Sequence, residues 1–115
     1  MLAGADVALV GLFSAKDKEF VSKLNLLASL VEAHGGQVVS RHVQRRGVSS
    51  GGVGKMSAPF SRRTLLSPGR AREVADDCRQ RRVGVVVFAN SLTDHQRAVL
   101  VDMFGCLVLS ADDLQ

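Results

Sequence analysis

The 115-residue sequence predicts an α/β fold: a single domain over residues 1–115, with a four-stranded parallel sheet in the order 2-1-3-4 and helices on both faces. Three observations carry that reading. Two runs, Asp6–Phe13 (DVALVGLF) and Val83–Ala89 (VGVVVFA), are almost wholly apolar, as strands covered on both faces must be. Helical periodicity, not hairpin turns, separates the strand candidates, so the chain returns each time in parallel through a right-handed crossover. The segment Gln37–Arg45 is half polar and therefore belongs at an edge.

The first apolar run is read as a central strand. Ser14 is placed to cap the helix after it, with Asp17 at the third helical position and an inward stripe of Phe20, Leu24, Leu27 and Val31. Gly35 and Gly36 end that helix. In the edge strand, strict alternation puts Val39, Arg41, Val43 and Arg45 on one face and Val38, Ser40, His42 and Gln44 on the other. Residues 46–61 have no period and many glycines and serines, which predicts a long basic loop. Ser67 then caps a helix with Pro68 at its first position and a stripe of Ala71, Val74, Ala75 and Cys78; Arg79, Arg81 and Arg82 sit at its carboxyl end, where cations offset the dipole. After the second apolar strand, Thr93 and Gln96 form a capping box for a helix with Val99, Leu100, Met103 and Phe104 inward. Gly105 stops it, and Cys106–Leu109 is the last strand. In the 2-1-3-4 order the carboxyl ends of the first and third strands form a switch point, where Phe13, Ser14, Asn90, Ser91 and the turn Ser67–Arg70 are expected to converge.

Composition narrows the function classes. With no tryptophan, no tyrosine and five phenylalanines, the core is built from Val, Leu and Ala, and single-strand binding on exposed rings is disfavoured. Cys78 and Cys106 both fall in apolar patterns and read as buried thiols of a reducing compartment. No run reaches the ~18 apolar residues of a membrane span and no leader pattern opens the chain, so a cytoplasmic protein without a membrane partner is expected. The formal charge of +4 hides a division: residues 41–82 carry eleven basic and three acidic side chains, the remainder four basic and eight acidic. From Arg41 to Arg72 there are eight cations and no acid: Arg41, Arg45, Arg46, Lys55, Arg62, Arg63, Arg70 and Arg72. These are the candidates for binding phosphates, against the plainer reading of a solvated basic face.

Catalytic motifs do not assemble. The fragment SSGGVGKMS lacks the first glycine and the final hydroxyl of a phosphate loop, having Ser49 and Met56 there, so Lys55 is a cation in a loop and not a nucleotide lysine. His34, His42 and His95 are separate and are assigned surface or capping roles. Ser91, Thr93, Asp94 and His95 sit at a helix start, which capping explains. Asp76 and Asp77 are expected to face outward, and no metal spacing occurs. No catalytic residue, metal or cofactor is expected.

Residues 64–110 resemble the amino-terminal domain of HflX-type GTPases, which act on the large ribosomal subunit. TLLSPGRAREV stands where that family has a segment close to TYIGSGKxEEL, placing Gly69 on the second glycine, Arg70 on the lysine and Glu73 in the acidic pair. VVVFANSLTDHQRAVL stands for VIFDxELSPxQxRNL, with Phe88, Leu92, Thr93, Gln96 and Leu100 matching. Ser67, Ala98, Val99, Ser110 and Ala111 depart from the pattern. The resemblance implies a non-catalytic accessory module associated with the large ribosomal subunit or structured RNA, any GTP hydrolysis needing a separate domain. Two other readings stay open: a nucleotide- or small-ligand-binding regulatory domain at the switch point with Arg70 on a phosphate, and a homodimeric interaction module joined through a sheet edge.

Overall fold

The computed structural model describes residues 2–46, without the side chain of Arg46, and 65–115. The loop expected at 46–61 thus falls almost wholly outside the described residues. The elements run β1 (Asp6–Ser14), α1 (Phe20–Ala33), β2 (Gln37–Arg46), α2 (Pro68–Arg81), β3 (Val85–Phe88), α3 (Asp94–Phe104) and β4 (Leu107–Ser110), closing on a 3-10 turn (Ala111–Leu114). The sheet order is β2-β1-β3-β4 with every pairing parallel, as the alternation of strands and helices predicts.

Alternate residues of the central strands feed two cores. Ala8 and Val10 of β1, Val86 and Phe88 of β3 and Val108 of β4 pack under Ala71, Val74, Ala75 and Cys78 of α2 and Leu100 and Phe104 of α3. On the other face Val7, Leu9, Phe13, Val85, Val87 and Leu109 meet Leu24, Leu27, Ala28 and Val31 of α1. Both central strands are apolar throughout because each face has a helix on it. Full burial of a side chain such as Leu9 or Phe88 stabilises by about 1.5–3 kcal/mol, so the two cores carry most of the fold.

The helix ends mostly obey the local signals. Ser67 Oγ accepts from the Arg70 amide with Pro68 at the first turn, and Thr93 and Gln96 close a reciprocal capping box. Gly105 ends α3 in the left-handed region (φ 70°), while Arg82 ends α2 there without being glycine (φ 54°).

Five expectations are corrected. The first helix begins at Phe20, five residues after the expected Ser14–Asp17 start, with no side-chain cap at Glu19. Instead the Asp17 amide closes a turn on the Ser14 carbonyl and the Asp17 carboxylate caps the Glu19 amide. The reason is Arg45, which takes the carbonyls of Ser14, Ala15 and Asp17 and holds this segment in a non-helical turn. In β2 a bulge breaks the alternation: Val7 faces Val38 but Ala8 faces Ser40, so Val39 joins the core under α2, while Val38 joins Val43 toward α1. The third strand is shorter than Val83–Ala89, since the Val83 amide caps α2 on the Cys78 carbonyl and only single bonds from Gly84 and Ala89 extend the pairing with β1. Met103 is 38 % exposed and does not face the core, and the last strand runs one residue later than expected, from Leu107 to Ser110. Among the described residues no helix is long and apolar enough to cross a membrane.

Candidate nucleic-acid interface

The acid-free stretch begins within β2 and ends within α2, and side chains tie these two elements together. Gln44 donates to Ser67 Oγ and accepts from the Ser67 amide, both at 2.9 Å. Deeper in, His42 Nε2 lies 2.8 Å from Asp77 Oδ2, and Arg81 donates to the other Asp77 oxygen at 2.6 Å. The His42 and Asp77 side chains are 15 % and 18 % exposed, so this pairing is largely screened from water. Burial raises the Asp77 pKa, but the Ser40 hydroxyl, the Arg81 guanidinium and His42 outweigh it and hold the carboxyl below its ordinary value. His42 and Asp77 are therefore partners across the β2–α2 seam, not the separate surface residues the sequence suggested. The signal was present in the alternation, since His42 shares its face with Ser40 and Gln44, the face that α2 covers.

The eight candidate cations are not equivalent. Arg41 is exposed and its Nη1 donates to Asn25 Oδ1 of α1 at 2.8 Å, a neutral partner that positions the guanidinium without cancelling its charge. It borders an open cleft of about 470 Å³ between α1 and β2, lined also by Ser29, Glu32 and Ser40. Arg45 donates to three carbonyls at 2.8–3.1 Å, and its guanidinium stacks 4.0 Å from the centre of the Phe20 ring. That side chain is a structural clamp on the β1–α1 turn. Arg70 pairs with Glu73 at 2.9 Å, and Arg72 is exposed with no ion pair among the described residues. Arg46 ends β2 opposite Ser14; its side chain, with Lys55, Arg62 and Arg63, lies outside the described residues.

Neighbouring charges on α2 are mostly balanced along the helix. Arg79 pairs with Asp76 and Arg81 with Asp77, whereas Arg82 has no ion pair among the described residues. On the far side, Asp17 is bound by Lys23 at 2.7 Å, and this bond first, then the Glu19 amide and the charges of Lys23 and Arg45, lowers its pKa. Asp113 is held low by the Ser110 amide and then by Arg97, 3.0 Å away.

The expected switch-point groups are each bonded to their own neighbours, and among the described residues only the Ser67–Arg70 cap joins two of them. Asn90 accepts from the Leu12 amide at 2.8 Å and donates to its carbonyl at 3.0 Å, extending the sheet as a strand residue would. Ser91 donates to Asp112, and Ser67 is shared between Gln44 and the Arg70 amide. Of the family-motif positions, Phe88 and Leu100 are fully buried, Leu92 packs against the same core, and Thr93 and Gln96 cap α3. Gly69 is different: a Cβ there would meet nothing within 4 Å, so packing does not require glycine.

The described residues form a parallel α/β domain with basic residues at its β2 edge and its motif residues spent on packing and capping, an architecture that fixes the fold and leaves function to its sites. The family model described as GTP-binding GTPase N-terminal matches residues 21–114, and the chain belongs to that family. The match bears out the resemblance to the amino-terminal domain of HflX-type GTPases and extends it over α1 and β2. No curated protein matches the chain.

Proposed function

We propose that this domain is a non-catalytic accessory module that brings a basic surface to structured RNA, with the large ribosomal subunit as its site of action. The observation that carries the reading is the eight cations without an acid between Arg41 and Arg72, a segment whose two ends are held together by the Gln44–Ser67 bonds. Family membership supports it, because the matching family is the amino-terminal part of GTP-binding GTPases. Recognition is by charge and shape: guanidinium groups meet phosphates of an A-form surface, while the sheet supplies a rigid base. Arg45 is left out of the contact set, since its Nε and Nη2 donate to three carbonyls of the β1–α1 turn and its guanidinium stacks on the Phe20 ring. Arg41, Arg46, Lys55, Arg62, Arg63, Arg70 and Arg72 make up the set.

Co-sedimentation of the purified chain with large ribosomal subunits tests the proposal. Binding at low salt that weakens steeply as salt rises is expected, each phosphate contact adding roughly 0.7–0.9 to the slope of log affinity against log salt. Absence of binding at low salt, or binding indifferent to salt, overturns it. A thermal-shift series with mononucleotides reads the rival: stabilisation that is lost in Arg70→Ala alone would make the domain a ligand-binding regulator instead.

A further inference from the structure

Helix α2 is fixed to the sheet in two different ways. Toward β1 and β3 its contacts are apolar, through Ala71, Val74, Ala75 and Cys78, and apolar burial is non-directional. Toward β2 the seam is polar: among the described residues Val39 is the one hydrophobic side chain of β2 packed against that core. The offset between α2 and β2 is set instead by directional bonds. His42 and Asp77 bridge the later part of the helix, and Gln44 and Ser67 bridge its start. There both halves of the Gln44 amide are spent on one residue: Oε1 accepts from the Ser67 amide and Nε2 donates to Ser67 Oγ, each at 2.9 Å. The same Oγ accepts from the Arg70 amide at 3.2 Å, so clasp and helix cap share an atom. The two elements so joined each carry cations, Arg41 on β2 and Arg70 and Arg72 in the first two turns of α2.

Given the RNA-binding role proposed for this domain, on which the inference rests, we propose that the Gln44–Ser67 clasp makes the surface selective for rigid RNA, duplex over flexible single strand. Gln44 and Ser67 are positioning residues: they hold the α2 cations at a fixed offset from Arg41 and touch no phosphate themselves. An A-form duplex presents its phosphates at fixed spacing, so cations already fixed in place lose little freedom on meeting it. A flexible strand adapts to a fixed or a loose array alike and gains little from the clasp.

The test compares binding of the purified chain to an RNA duplex and to polyuridylate of equal phosphate number, each titrated at several salt concentrations. Wild type should prefer the duplex. Gln44→Ala removes both clasp bonds and no charge. Its duplex affinity should fall by about three- to tenfold with the salt slope of wild type, while its polyuridylate affinity stays unchanged. Ser67→Gly keeps a tolerated cap residue and loses only the Oγ bonds, so the same pattern at smaller size is expected, and it carries the test if Gln44→Ala does not fold. Arg72→Ala, which removes a cation, should instead weaken both RNAs and lower the slope by roughly 0.7–0.9. Equal losses on both RNAs would make Gln44 a purely structural residue. That result, a wild type without preference, or variants that bind the duplex as wild type does, overturns the proposal. A wild type that binds neither RNA at low salt removes the RNA-binding role itself, and the clasp's role with it.

Discussion

The two halves of this domain use their polar residues in opposite ways. From β3 to the terminal turn, nearly every distinctive side chain is engaged internally. Phe88 and Leu100 fill the core, Thr93 and Gln96 cap α3, Ser110 binds Asp113 and Arg97 pairs with it. From β2 into α2 the chain carries far more positive charge than capping or pairing consumes. Arg41 has only a neutral partner and Arg72 has no ion pair among the described residues. The family motif and the proposed surface therefore overlap at Arg70 but differ elsewhere. The best-matched positions, in the later half, maintain the scaffold, whereas the surplus charge of the earlier half is what a partner would read.

The severest challenge to this contrast lies in the scaffold half. Phe88→Ala empties a fully buried site between α2, α3 and the sheet and should cost about 3–5 kcal/mol in urea unfolding. Were the loss below about 1 kcal/mol, this half would not be the rigid base assigned to it. Next comes Arg45, the one cation of the basic stretch given a structural role. Arg45→Ala removes three charge-assisted bonds and a ring contact and should destabilise by about 2 kcal/mol, with exchange of the residue 15–19 amides increased. Stability unchanged, with RNA binding lost, would move Arg45 into the contact set.

Smaller effects refine the division. Gly69→Ala should leave stability unchanged or raise it by up to about 1 kcal/mol, because its Cβ meets no neighbour. Weaker RNA binding in a chain so stabilised would show that backbone approach, not folding, calls for glycine there. The pH dependence should be gentlest of all. Asp17, Asp77 and Asp113 all titrate lower in the folded state, so their contribution is present above the unfolded value of about 3.9 and is lost as pH falls through the folded values. Urea midpoints should be flat from neutral to about pH 5 and decline below about pH 4; a rise on acidification would contradict these assignments.

Much of this was legible in the sequence, and the failures have physical causes. The apolar runs and their helical separators led to the sheet order, and Ser67-Pro68, Thr93-Gln96 and Gly105 marked helix ends because capping is local chemistry. The start of α1 was misplaced because Ser14 and Asp17 look like a cap, and only Arg45, some thirty residues away, claims the carbonyls a helix would need. The β2 bulge left no mark in QVVSRHVQR, since valines on either side of a register shift look alike. His42 with Asp77 was invisible as a pair because that long-range contact arises from the packing of α2 on the sheet. Of the candidate interface, the charges were legible, but their division into Arg45 the clamp and Arg41 the exposed cation was not.

On the proposed function, partner binding falls to the surplus charge of the β2–α2 half and not to net charge alone. The decisive measurement is the salt dependence of binding to large ribosomal subunits, compared among wild type, a variant with Arg46, Arg62, Arg63 and Arg72 changed to Ala, and a variant with Lys16, Lys18, Lys23 and Arg97 changed to Ala. Each variant loses four cations. A shallower slope and weaker binding in the first, with the second near wild type, is expected. Equal losses in both, or a second variant weaker than the first, would refute the assignment.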